Sequence, residues 1–184
     1  MRPPGPWAAI PAEYNLGVAL TAGQVRQGRG DKTALLWENS VGHTASYTFA
    51  QLDALSSRFA SALARLGVRR GHRVFLRLPN RPEFYVAALG AAKLGAVFIP
   101  TSTQFHEDEI RYRLRDSEAV AAVVTRRLLD AVERVRGDCP ALRHVLVAAD
   151  EHQGGVTCAP RTKGRPLRPA RGRPSPPTTT SASR

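Results

Sequence analysis

Between residues 73 and 149 the apolar positions fall into short dense runs separated by longer stretches with helical spacing, and each change of period is marked by a capping or stop residue. Arg73 to Leu78 is a β-branched and aromatic run with Val74, Leu76 and Leu78 on one face, which predicts a strand. Asn80 is placed to cap the helix that follows, with Glu83 three residues on as in a capping box and Pro82 in the first turn. From Phe84 to Leu94 the apolar residues are too dense for one stripe, so this helix is expected to be buried on several sides, with Gly95 as its left-handed stop. Ala96 to Ile99 is a second strand, ended by Pro100. A strand, crossover helix and strand of this length is normally parallel and right-handed.

The same alternation continues. His106-Glu107-Asp108-Glu109 puts three acids into a helix start, where the macrodipole favours them, and Glu107 with Arg111 and Glu109 with Arg113 are spaced as i,i+4 ion pairs. This is ordinary first-turn chemistry rather than a metal cluster. Ala119 to Val124 reads as a third strand and Thr125 as a cap. Leu128, Leu129, Val132 and Val135 form the buried face of a helix stopped by Gly137, and residues 143–149 form a fourth strand. The order βαβαβαβ predicts an α/β fold with a partial doubly wound parallel sheet. Ligands of such sheets bind beyond the carboxyl ends of the strands, which singles out the loop Thr101-Ser102-Thr103-Gln104.

Upstream, Thr48 and Gln51 form a capping box for a helix over 49–66, in which Leu52, Leu55, Phe59, Leu63 and Leu66 recur at steps of three and four before Gly67. Burying five such side chains contributes roughly 1.5–3 kcal/mol each. Residues 32–38 and 45–48 predict a hairpin about the turn at 39–43, where His43 is a solvated loop residue. A short helix is expected over 14–25 with Leu16, Ala19 and Leu20 at helical spacing, and residues 1–13 are Pro-rich and irregular. The Gly28-Arg29-Gly30 loop lacks a third glycine and a preceding strand, and reads as a plain turn rather than a nucleotide site.

Composition divides the chain further. Of the formal net charge of +12, half falls in residues 151–184, so the body is only mildly basic and its charge is a poor argument for nucleic acid. That segment holds six prolines, one leucine and no aromatic residue, without period, and is expected to be a disordered Arg/Pro-rich tail from residue 150. Cys139 and Cys158 give neither a disulfide scaffold nor a metal-ligand spacing, which points to a reduced cytoplasmic setting. The first sixteen residues lack a signal-peptide pattern, and the most apolar window, 86–100, is short and carries Lys93, so no membrane span is expected.

The run from Ser46 to Pro100 resembles the N-terminal part of the adenylate-forming acyl-CoA synthetases, the AMP-binding ligase family. The resemblance rests on Tyr47-Thr48, Leu66-Gly67-Val68, Leu78-Pro79-Asn80 and Lys93-Leu94-Gly95-Ala96-Val97 with Pro100, in this order and spacing. The stretches PTSTQFHEDEIRYRLRDSEA and GDCPALRHVLV are similar to the medium-chain branch, and the whole likeness covers residues 14–149. It implies a parent reaction in which a carboxylic acid is activated by ATP, with Mg²⁺, to an acyl-adenylate and then passed to the CoA thiol. It implies also that Gln104, beside Thr103, touches CoA, and that Arg126 and Arg127 face CoA phosphates.

The family's phosphate loop, of the type T-S-G-T-T-G-x-P-K, has no good match here. The chain is therefore expected to be an N-terminal fragment with no catalytic residues, no metal ligands and no cofactor of its own. Exposed apolar surface is expected to favour non-specific self-association. A second reading makes the basic run from Arg161 to Arg173 a contact for nucleic acid or an acidic partner, although it lacks aromatics for base stacking.

Overall fold

The computed structural model describes residues 11, 13–148 and 158–161. The first elements among the described residues are two short helical turns, α1 (Leu16–Ala19) and α2 (Ala22–Gln24), continued by a π-type turn over Val25–Arg29. The hairpin strands β1 (Thr33–Glu38) and β2 (Thr44–Thr48) follow, then helix α3 (Phe49–Arg65). The sheet unit comprises β3 (Arg73–Arg77), α4 (Pro82–Lys93), β4 (Val97–Pro100), α5 (Glu107–Asp116), β5 (Ala121–Thr125), α6 (Arg126–Val135), β6 (His144–Ala148) and β7 (Cys158–Arg161).

The main sheet runs β4-β3-β5-β6-β7. β3 is parallel to both β4 and β5, β5 is parallel to β6, and β7 joins β6 antiparallel. The chain thus starts in β3, steps to β4, and crosses back over β3 to reach β5. The strand order reverses between β3 and β5, which is the doubly wound arrangement read from the alternating pattern.

Each face of the sheet has its own core. Val74, Leu76, Ala121, Val123, Leu146 and Ala148 turn toward α3 and α4, with Leu52, Phe59, Leu63 and Val86 among the residues packed there. Phe75, Ala122, Val124 and Val145 turn the other way, against Ile110 and Leu114 of α5 and Leu129, Val132 and Val135 of α6. β5 is buried along its whole length, which is why its sequence is a continuous apolar run rather than an alternation. The hairpin joins the first core through Ala34, Leu35 and Tyr47, and Trp37 Nε1 donates to the Asn80 carbonyl at 2.8 Å.

Some local signals are met as expected. Thr48 Oγ1 accepts from Gln51 N at 3.2 Å and Gln51 Oε1 from Thr48 N at 2.8 Å, completing the expected capping box. Gly95 takes φ 74°, a left-handed conformation that ends α4 without the penalty a Cβ would bring. Lys93 reaches from α4 to α3, where its Nζ lies 2.6 Å from Asp53 Oδ1, 3.0 Å from the Asp53 carbonyl and 2.9 Å from Ser57 Oγ.

Several expectations are corrected. Arg81, not Asn80, is the residue before α4, and Pro82 opens the helix; Asn80 Oδ1 instead accepts from the Tyr85 hydroxyl at 2.8 Å. Glu83 pairs with Arg81 at 3.0 Å rather than closing a capping box. Arg111 pairs with Asp108 and, at 2.8 Å, with Asp138, while Glu107 pairs with Arg134, so one i,i+3 pair and two partners beyond the helix stand in place of the expected Glu107–Arg111 pair. Glu109 accepts from His106 N at 2.8 Å, and the Arg113 guanidinium stacks over the Phe105 ring at 4.0 Å. Thr125 precedes α6 without a side-chain cap bond, and Gly137 sits inside a 3₁₀ turn over Arg136–Asp138. The expected helix over 14–25 is broken into pieces, with Leu16 and Leu20 exposed and Gly17 and Thr21 buried.

Within the segment read as unstructured, Cys158–Arg161 forms β7. An edge strand needs backbone pairing on one side only, and Pro160 is compatible with such an edge. The rest of the segment beyond residue 148, like residues 1–10 and 12, lies outside the described residues, including most of the basic run. Among the described residues no helix is long and apolar enough to cross a membrane.

Candidate functional site at the carboxyl ends of the strands

The candidate site is built at the carboxyl ends of β4, β3 and β5, where the strand order reverses. The loop leaving β4 is pinned first by its backbone. Thr101 N donates to the Leu76 carbonyl at 2.8 Å, extending the β3–β4 pairing by one bond, and Thr101 itself is buried. Gln104 N donates to Ser102 Oγ at 3.2 Å, a turn internal to the loop. Gln104 is exposed, and its side-chain amide makes no hydrogen bond among the described residues. The amide is therefore not consumed by its own loop, and its donor and acceptor both remain available to a ligand.

Arg126 and Arg127 occupy the first turn of α6 and are exposed. No acid shares that turn, so two positive side chains sit where the helix dipole is also positive. Like charges there are an arrangement suited to an anion.

Arg77 joins the two segments. It ends β3 on the same face as Phe75 and is 4 % exposed. Its Nη2 donates to the Thr103 carbonyl at 3.0 Å and to the Phe105 carbonyl at 2.8 Å, while Nη1 donates to the Leu128 carbonyl at 3.2 Å. One guanidinium thus grips the loop that carries Thr103 and Gln104 and the turn that carries Arg126 and Arg127. No carboxylate pairs with Arg77 among the described residues, and its Nε is unpartnered. Burial, and then the neighbouring charge of Arg127, push its pKa down from the ordinary arginine value.

The loop was legible from topology, but this cation was not singled out. The available signal was an arginine on the inward face of a strand otherwise buried on both sides. A buried pair lies at the start of α4, where Arg81 and Glu83 are both almost covered. Burial, and next to it the Glu83 charge, raise the pKa of the Tyr47 hydroxyl. The acids at 107–109 are engaged in helix-start and ion-pair contacts, and no group of three or more potential metal ligands converges among the described residues. Gly28 and Arg29 lie within the π-type turn, and the Gly30 carbonyl accepts from Ala50 N at the start of α3, at 3.0 Å.

The fold is a layer of the doubly wound α/β class, with the candidate site at its strand reversal. The family model described as AMP-binding enzyme matches residues 22–180, and the chain belongs to that family. It is 34 % identical over 128 residues to the acyl-coenzyme A synthetase ACSM1, mitochondrial, of Mus musculus, covering 68 % of this chain and 22 % of that one. It is 38 % identical over 130 residues to the acetyl-coenzyme A synthetase of Bacillus subtilis (strain 168), covering 70 % of this chain and 22 % of the relative. Among solved structures, the anthranilate CoA ligase AuaEII in complex with anthranoyl-AMP matches with a TM-score of 0.68 at 31 % identity, over 76 % of this chain and 26 % of that one. A benzoate CoA ligase from Burkholderia xenovorans LB400 matches with a TM-score of 0.59 at 28 % identity, over 68 % and 24 %. The chain therefore spans about a quarter of the length of the relatives it matches.

Proposed function

We propose that this chain supplies the CoA-facing edge of an adenylate-forming acyl-CoA synthetase. In that reaction a carboxylate oxygen attacks the α-phosphorus of ATP and pyrophosphate leaves. The CoA thiol sulfur then attacks the acyl carbon and AMP leaves. The single observation that carries the reading is the exposed, unbonded amide of Gln104 on a loop fixed at the strand reversal. Gln104, with Thr103 beside it, is the group that would hydrogen-bond the CoA chain, and Arg126 and Arg127 would face its phosphates.

ATP chemistry is a different matter. Holding a triphosphate needs a glycine-rich run of backbone N–H groups with a lysine, and the described residues offer none beyond a strand's carboxyl end. We derive no adenylation step from this chain's own side chains, and the 184-residue polypeptide by itself is proposed to be catalytically silent. A reducing, cytoplasmic compartment belongs to the same proposal, supported by two cysteines whose spacing suits neither a disulfide scaffold nor a metal site.

The test is a titration of the ¹⁵N-labelled polypeptide with CoA, run beside a pyrophosphate-release assay with ATP and carboxylates. The expected result is saturable shifts at Thr103, Gln104, Arg126 and Arg127 and no pyrophosphate. CoA that leaves those four amides unmoved would overturn the edge assignment, and steady protein-dependent pyrophosphate release would overturn the silence.

A further inference from the structure

We propose that Arg77 is the positioning residue of this edge, a buried cation whose bonds to the Thr103, Phe105 and Leu128 carbonyls lock the Gln104 loop against the first turn of α6. The inference rests on the CoA reading for its functional meaning, but its structural content stands on its own observations. A guanidinium that is 4 % exposed, with no carboxylate partner among the described residues, is a costly thing to bury. Here it is solvated by three backbone carbonyls drawn from two segments, 26 to 51 residues away in the chain. A planar fork with fixed donor directions can satisfy carbonyls on both sides at once, whereas an ammonium presents its donors from a single point.

The geometry also explains why the loop keeps a defined shape without secondary structure. Its own bonds are the strand extension and a hydroxyl bond to the Ile99 carbonyl at Thr101, and the turn from Gln104 N to Ser102 Oγ, and none of them uses the Thr103 or Phe105 carbonyl. The Thr103 and Phe105 carbonyls are held from behind by Arg77, assisted by Arg113 stacked on the Phe105 ring. Gln104 lies between the two carbonyls that Arg77 grips, so its outward amide inherits its orientation from that clamp. With the loop already ordered, CoA would meet a site whose ordering entropy is not charged to binding.

The experiment compares wild type, Arg77→Met and Arg77→Lys in the full 184-residue chain by amide hydrogen exchange and CoA titration. In Arg77→Met, exchange at residues 103–106 and in the first turn of α6 should speed up by about tenfold, while Val123 and Val124 of β5 stay within about twofold. The CoA dissociation constant should rise by about five- to tenfold, and Arg77→Lys should recover part of both losses. Unchanged loop exchange in Arg77→Met overturns the inference, as does a loosened loop with unaltered CoA affinity. Should Arg77→Met fail to fold, the wild-type guanidinium decides: resolved, slowly rotating Nη protons support the clamp, and a single averaged signal overturns it. If wild type shows no CoA shifts at all, the CoA reading fails while the exchange comparison still judges the lock.

Discussion

Gly90 of α4 lies directly against Phe59 of α3: a Cβ at Gly90 would stand 2.8 Å from Phe59 Cδ1 and 2.8 Å from the Ser56 carbonyl oxygen. At a free helical site, replacing glycine by alanine gains about 1 kcal/mol of helix propensity. Here the obstacle is backbone as well as a ring, and forcing the helices apart costs roughly 1–3 kcal/mol. Gly90→Ala is therefore expected to be destabilising, read as a lower urea midpoint with an unchanged slope.

The Lys93–Asp53 bridge between the same helices is unequally buried, with the lysine side chain 8 % and the aspartate 30 % exposed. The asymmetry predicts which half is costlier to remove. Asp53→Ala leaves a covered ammonium with only the Asp53 carbonyl and Ser57 Oγ, and should cost about 1–3 kcal/mol. Lys93→Met keeps the apolar stem and leaves a carboxylate that water can reach, so a loss under about 1 kcal/mol is expected. Equal losses in the two variants would show that the pair's burial does not set its energetics.

His144 gives the fold a pH dependence. Burial first, then the charges of Arg143 and Arg136, lower its pKa from 6.5, against the opposing pull of a hydrogen bond with the Leu66 backbone. With the folded pKa below the unfolded one, the unfolded chain binds the proton first. Stability is thus fully present above about pH 6.5 and is lost as pH falls from there toward the folded value. Denaturation curves between about pH 7 and 5.5 should show this loss in wild type and a shallower one in His144→Asn.

β4 is the edge of the sheet among the described residues, and Val97 on it is 52 % exposed. An open strand edge with apolar side chains is a template for pairing with another chain. Val97→Lys places a charge on that edge and should reduce light scattering of concentrated samples without moving the thermal midpoint by more than a few degrees. Unchanged scattering would direct attention to the hairpin, where Leu36 and Val41 are also exposed.

These elements differ in how far the sequence foretold them, and the difference follows the range of the interaction. β5 and α4 were legible because burial on both sides leaves a dense apolar run, and the Thr48–Gln51 box because its two partners are three residues apart. Asn80 has the residue type of a cap but does not cap α4, because Trp37, 43 residues away, takes its carbonyl and Tyr85 its side chain. Glu107 and Arg111 have i,i+4 spacing, yet each finds a partner 27 residues on. Strand β7 is four residues long and includes Pro160, so no alternation marks it in the sequence. The Thr101–Gln104 loop could be placed from topology alone, but the clamp behind it depends on where three carbonyls converge, which no local spacing encodes.

The two halves of the proposed CoA edge can be separated by salt. Gln104 offers a neutral amide, whose hydrogen bond is little affected by screening, whereas Arg127 offers an exposed charge to an anion. Gln104→Ala should weaken CoA binding by about three- to tenfold at every ionic strength, in line with one lost hydrogen bond of about 0.5–1.5 kcal/mol. Arg127→Ala should weaken it most at low salt and converge on wild type as salt approaches about 1 M, where the Debye length is about 3 Å. Isothermal titration of both variants from about 0.02 to 1 M salt checks this. Parallel salt curves for Arg127→Ala and wild type would remove Arg127 from the phosphate contact, leaving Arg126 and the α6 N-terminus as the charged side of the edge.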